Sequence, residues 1–226
     1  ARLPTTVDGE VLANVWAFFP AFPFAAGVLA RVSGLSFVWS ALAVNLAAGA
    51  IVAVCLAAMV RPFAGDQAAA RAATLWAFLP TAFLLHVPYS EAVHLAFVAA
   101  CLAAVVRGRM GLAALLLVGA ALSRGAALPL AGAVIVRAAM SLGPAWSARG
   151  PIATRRARWL VPGAALVISA LAPWLWMLVA WRVTGRIDAV TASQGAWGVR
   201  LDPSAMVLAL RANLAHDGIA LLFNPS

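Results

Sequence analysis

Apolar residues fall along this chain in long runs, at 15–32, 34–60, 72–87, 89–106, 111–123, 125–140 and 159–181, with a weaker run at 205–223. Several approach or exceed the ~20 residues a helix needs to cross a bilayer core. None shows the short alternating segments of a transmembrane β-barrel. The pattern predicts an all-α polytopic membrane bundle, with 1–226 as a single transmembrane domain. The clearest crossing is 34–60, whose 27 residues reach about 40 Å as a helix. The first run contains FFPAFPF, in which Pro20 and Pro23 each remove a donor and obstruct helical hydrogen bonding, predicting a broken, re-entrant or surface element. The runs 111–123 and 125–140 meet at Ser123-Arg124-Gly125, either as one kinked helix or as two short ones.

Composition supports the membrane assignment. The chain is 65% hydrophobic and 10% charged, with mean hydropathy +0.97, too little polar surface for a soluble domain of 226 residues. The net charge of +9 comes from arginine alone. Because the arginines lie between apolar runs, they point to anionic lipid and topology rather than to nucleic acid. The Ala- and Arg-rich, lysine-free vocabulary suits a GC-rich bacterial genome, hence a multi-pass protein of the bacterial inner (plasma) membrane. Cys55 and Cys101 lie inside apolar runs, where a small hydrophobe is expected rather than a disulfide.

The arginines also set an orientation. If runs three to seven each cross once, Arg61, Arg71, Arg107, Arg109, Arg137, Arg149, Arg155, Arg156 and Arg158 share one side, and Arg124, Arg182, Arg186 and Arg200 share the other. The richer side is expected to be cytoplasmic. The Pro-Tyr-Ser-Glu turn (88–91), the Ser-Arg-Gly turn (123–125) and the loop after Trp181 then face outward together. With that assignment, runs one and two cannot both cross singly.

Chemistry concentrates in those turns. Glu91 stands between His86 and His94 at the start of a run. An acid there suits the positive end of a helix behind a Ser90 cap. The functional alternative has Tyr89, Ser90 and Glu91 facing a polar cavity that receives an acceptor. Glu91 and His94 also have the Glu-x-x-His spacing of carboxylate metal sites, but no further acids lie in the apolar runs, and no metal is expected. Arg124 interrupts about 30 apolar residues. It either snorkels to headgroups or binds a lipid-linked phosphate with its planar fork. The segment 182–203 reads as a long polar loop in which Gln194 and Trp197 offer the amide and aromatic face that sugars favour, although Trp197 also suits an interfacial belt. The chain has no heptad repeat, glycine-rich phosphate loop or Cys/His metal spacing.

Four stretches, WAFFPAFP (16–23), PTAFLLHVPYSEAVHL (80–95), ALSRGAALPL (121–130) and WRVTGRIDAVTASQGAWG (181–198), occur in the order found in PIG-V-type mannosyltransferases. The chain thus resembles that family of the GT-C glycosyltransferase superfamily over most of 14–200. The resemblance implies a GT-C-like bundle. It also implies inverting transfer of a sugar, usually mannose, from a polyprenyl-phosphate donor to a lipid, glycan or protein acceptor on the extracytoplasmic face, without a cofactor. It matches Tyr89, Ser90 and Glu91 to the family's aromatic–hydroxyl–acid turn, Arg124 to its Thr-Arg-Pro turn with Gly125 in place of proline, and Gln194 and Trp197 to its late Gln/Trp loop. The family's catalytic acid lies in an aromatic stretch before the FFP motif. Here only Asp8 and Glu10 precede Trp16, so the base is expected upstream of Ala1, and the chain is expected to be part of a longer one. A lipid transporter, or a non-catalytic subunit of a cell-envelope membrane complex, is the competing expectation, since proline-broken helices and an intramembrane arginine suit those as well.

Overall fold

The computed structural model describes residues 6–7, 10–12, 14–79, 87–147 and 152–197, with side chains outside 6–10 and 143–158. The described chain is helical apart from a minimal antiparallel pair, β1 (Thr6–Val7) and β2 (Glu10–Val11). A 3-10 turn at Val15–Ala17 leads to α1 (Ala21–Ser33), α2 (Phe37–Ala77), α3 (Glu91–Val106), α4 (Met110–Ser123), α5 (Leu128–Ser147), α6 (Ile152–Leu171), α7 (Leu175–Thr184) and α8 (Ala189–Ala196). Two helical stretches, Phe37–Ala77 and Trp159–Thr184, are long and apolar enough to cross a membrane.

The first run is broken as expected: the 3-10 turn ends at Ala17, and the α-helix begins only after Pro20. Pro20 and Pro23 fall at the N-cap and in the first turn of α1, where a missing N–H costs nothing because those donors have no intrahelical partner. Gly34, at φ +74°, closes α1 in the left-handed conformation that glycine adopts without strain. The 13 residues of α1 reach about 20 Å, short of a ~30 Å hydrocarbon core. Both ends of α1 lie toward the end of the bundle where α3 begins. Phe22 and Pro23 share a cavity wall with Pro88, Tyr89 and Ser90, and the helix that follows α1 sends Asn45 back to Val87.

That following helix, α2, is a hairpin. Ser36 caps its start, accepting from Trp39 N at 3.5 Å. Pro62 and then Gly65, at φ 78° and ψ 179°, interrupt the helix, and the Trp76 indole donates to Gly49 O at 3.0 Å. Residues 27 apart would stand about 40 Å apart along a straight helix, so the arms 37–64 and 66–77 run antiparallel. Pro62 cannot donate to the carbonyl four residues before it, and Arg107 Nη2 donates to that carbonyl, Ala58 O, at 3.1 Å. The polar stretch 61–71, expected as a connection between crossings, is therefore helix and turn. Arg61 pairs with Asp66 at 2.7 Å across the reversal.

Helices α3, α4, α5 and α6 pack around an alanine-rich core, and α7 continues from α6 through a 3-10 turn at Ala172–Trp174. Ala104, Ala113, Ala120, Ala138 and Val134 are buried there with Leu117. Small residues let backbones approach closely, which is how apolar helices associate where lipid removes the hydrophobic drive. At the tightest crossing of α3 and α4, Gly119 faces the Phe97 ring, and a Cβ there would stand 2.3 Å from a ring carbon. Runs 111–123 and 125–140 prove to be two helices turning at Arg124–Ala127. The opposite end of the bundle gathers Arg61, Arg107, Arg109 and Arg137: Arg107 reaches Ala58, and the Arg137 guanidinium reaches Gly108.

Gly119→Ala is expected to lower stability by about 1–3 kcal/mol through overpacking against Phe97. Gly132→Ala, whose new methyl meets nothing within 4 Å, should be neutral or slightly stabilising. Thermal unfolding of both variants in detergent checks the pair.

Candidate functional site

The four sequence stretches separated along the chain converge at one end of the bundle. An apolar cavity of about 610 Å³ is walled by Trp16, Phe18, Phe19, Pro20, Phe22 and Pro23 on one side and by Pro88, Tyr89, Ser90 and Trp176 on the other. Local hydrogen bonds shape the first wall. The Asn14 side chain accepts from Trp16 N at 2.9 Å, starting the 3-10 turn that turns its aromatic residues inward. Trp16 stacks on Trp176, with ring centroids 5.3 Å apart, and the Trp176 indole donates to Trp16 O at 3.3 Å.

The second wall is held from below. Asn45, wholly buried in the first arm of α2, donates through Nδ2 to Val87 O. This bond fixes the entry to the Pro-Tyr-Ser-Glu turn. Tyr89 is 61% exposed at the cavity rim. Ser90 precedes α3 in a helical conformation, and its hydroxyl makes no capping bond. The expected cap is therefore absent, and Ser90 contributes to the cavity wall instead.

Glu91 opens α3 and forms an ion pair with Arg124, its Oε1 accepting from Arg124 Nη1. Arg124 caps the C-terminus of α4 in an extended conformation and is 43% exposed, against 28% for Glu91. The acid therefore does more than start a helix: it pairs with a cation at the end of a neighbouring helix. His94, one turn below Glu91, joins the same two helix ends. Its Nδ1 lies 3.1 Å from both Ala120 O and Ser123 Oγ, and the Ser123 hydroxyl donates to Ala120 O at 2.7 Å. A carbonyl only accepts, so Nδ1 carries the proton and holds the end of α4 against α3. Glu91 and His94 thus engage different partners. The following residue, Gly125, lies against Phe19: a Cβ there would meet the ring at 3.4 Å. The arginine turn is in this way seated directly on the cavity's aromatic wall.

The segment after Trp181 is largely folded. Gly185, at φ +74°, ends α7, and Arg186 forks onto Asp188 at 3.1 and 2.8 Å. Those hydrogen bonds hold the exposed Asp188 carboxyl below its ordinary pKa. Helix α8 then brings Trp197 to the site, where its indole donates to Asn14 O at 3.1 Å and its ring meets Phe18 edge-on at 5.2 Å. Trp197 braces the cavity wall from outside. Gln194 is half-buried on α8 and is not among the residues lining the cavity. Asp8, His86 and Arg200 lie outside the described residues, and Glu10 is described only by its backbone in β2.

Asn45 and Trp176 were not anticipated from the sequence. Asn45 carried a usable signal, being an amide inside the apolar run 34–60, where a polar group is costly unless it has a task. Trp176 carried none, sitting in WLWM among other apolar residues.

A double-mutant cycle with Glu91→Gln and Arg124→Gln should give a coupling energy of about 0.5–1 kcal/mol, the scale of a half-exposed pair. Unfolding of the two single variants and the double variant measures it, and strictly additive effects would remove the pair from the site. No family model, characterised protein or solved structure matches this chain.

Proposed function

We propose that this chain belongs to a multi-pass membrane glycosyltransferase with a GT-C-like bundle. In this reading it moves a sugar, mannose by the sequence resemblance, from a polyprenyl-phosphate donor to a lipid, glycan or protein acceptor on the extracytoplasmic face of a bacterial plasma membrane. The observation that carries this reading is a half-exposed guanidinium, Arg124, which does not line the aromatic cavity of 16–23 and 88–90 but belongs to the turn whose next residue, Gly125, lies against the cavity's Phe19. A polyprenyl phosphate has those two halves: an apolar chain for the Trp16–Phe22 wall and an anionic head for Arg124. As the bond from the sugar's anomeric carbon to the phosphate breaks, negative charge grows on the leaving phosphate, and a positioned guanidinium stabilises it. Tyr89 and Ser90 at the mouth supply hydroxyls that orient a sugar or acceptor. The proton of the attacking hydroxyl needs a carboxylate, and Asp8 and Glu10 are the acids that precede the cavity wall in this sequence.

One observation favours a second reading. Glu91, the acid nearest the cavity among the described residues, is engaged by Arg124. A site that binds a lipid phosphate without a free base suits a lipid transporter or a non-catalytic subunit. Sugar transfer from a labelled polyprenyl-phosphate donor in membranes separates the two. In the glycosyltransferase, Arg124→Lys keeps charge but loses the planar fork, and it should lower transfer at least tenfold at limiting donor with normal insertion. Absence of transfer by the wild-type protein in its full-length form would leave the transporter reading.

Orientation is tested separately. The arginine-rich end should be cytoplasmic, so cysteine replacing Asp66, highly exposed in the α2 reversal, should resist an impermeant thiol reagent in intact cells. Cysteine replacing exposed Thr191 on α8 should react. The opposite pattern would place the cavity on the cytoplasmic side.

A further inference from the structure

The Glu91–Arg124 pair is left incomplete on both sides. Glu91 Oε1 accepts from Arg124 Nη1, while Glu91 Oε2 is buried without a hydrogen-bond partner. Arg124 makes no side-chain hydrogen bond through Nε or Nη2 among the described residues, and nearly half of its side chain remains exposed. A guanidinium and a carboxylate can satisfy each other with two parallel bonds, and this chain builds such a fork elsewhere, between Arg186 and Asp188. At Arg124 the acid takes only one corner of the fork, and the rest of it is left for another anion.

We propose that Glu91 is a resident stand-in for phosphate. A lipid phosphate enters by taking Arg124 from Glu91, and the carboxylate returns to Arg124 as the phosphate leaves. This deepens the reading above and rests on one part of it, Arg124 as a phosphate site. The exchange is physically balanced. Polyprenyl phosphate, the leaving group of the transfer, is a monoester with about −1.5 to −2 charges near neutral pH and three acceptor oxygens, so it outcompetes a carboxylate held by a single contact. The sugar-bearing donor is a diester with a single charge and competes less strongly. The released Glu91 stays in the first turn of α3, where the helix N-terminus favours negative charge. His94 and Ser123 hold the end of α4 independently of the ion pair, so Arg124 does not depend on Glu91 for its place. Glu91 therefore acts as a competitor for Arg124, and its removal should strengthen phosphate binding. A carboxylate that merely positioned Arg124 would give the opposite sign.

The test measures binding of farnesyl phosphate, farnesol and inorganic phosphate to purified protein in nanodiscs. Glu91→Gln removes the charge while preserving shape, and it should bind farnesyl phosphate roughly threefold or more tightly than wild type, the scale of a half-exposed ion pair, with farnesol unchanged. A parallel gain for inorganic phosphate identifies the headgroup alone as the ligand, and a gain confined to farnesyl phosphate identifies a lipid phosphate. Equal or weaker binding by folded Glu91→Gln overturns the proposal. A second measurement needs no variant. Saturating farnesyl phosphate should increase modification of wild-type Glu91 by dicyclohexylcarbodiimide, read by mass spectrometry, and unchanged or reduced modification overturns the proposal. Tighter binding by Glu91→Gln in a full-length protein that transfers no sugar would keep this inference and remove the enzyme. Binding that is indifferent to Arg124→Lys would remove Arg124 as the phosphate site, and this proposal with it.

Discussion

Helices α3 and α4 run in opposite directions, and the start of one is joined to the end of the other by the proton on His94 Nδ1. That single donor, on a buried ring, faces Ala120 O and Ser123 Oγ. A buried donor without an acceptor is costly, so the ring's orientation and the register of α4 against α3 are fixed together. Register then decides the rest. It places Arg124 opposite Glu91 and Gly125 under Phe19, and so lets the aromatic turn from 15–20 rest on the arginine turn. A slip of one residue along α4 would rotate Arg124 by about 100° around the helix and dismantle the site without unfolding the core.

The sequence allowed the site's members to be named more readily than their relations. Arg124 and Glu91 stand out in any apolar chain because charge there is expensive. That they answer each other across 33 residues is invisible to local pattern, since nothing in either segment encodes the distance between helix ends. The same holds for the order of the four motif stretches: it suggested a common site, but their packing around one cavity is a tertiary fact. Pro20 marks the interruption of the first run, with Pro23 just inside the helix that follows, because a proline is tolerated in the first turn of a helix. Gly65, in the segment between runs 34–60 and 72–87, carried no reading of its own and proved to be the hinge of a hairpin. The loop after Trp181 was read as unstructured length, yet Gly185 and α8 fold it back until Trp197 meets Phe18.

The core's composition has its own logic. Alanine has little side chain to order, so helices built from it lose little rotamer freedom on packing and can approach closely. The drawback is that small residues specify poorly which helix meets which. Specificity is supplied by a few larger or polar insertions: Phe97 against Gly119, Asn45 to Val87, Arg107 to Ala58, His94 to Ala120. Each joins one particular pair of segments, and together they hold α2, α3 and α4 to one another and to the turn that opens α3.

The length of α1 has a consequence for how a ligand would arrive. A helix of 13 residues that begins at the cavity wall and returns to the same end leaves the layer beneath it to be filled by lipid or by another helix. In a bilayer, a cavity flanked in this way opens sideways as well as upward. A long-chain ligand would then reach it by diffusing within one leaflet, without leaving the membrane. Its effective concentration would be its mole fraction among neighbouring lipids, so occupancy would follow the composition of the membrane rather than any concentration in water.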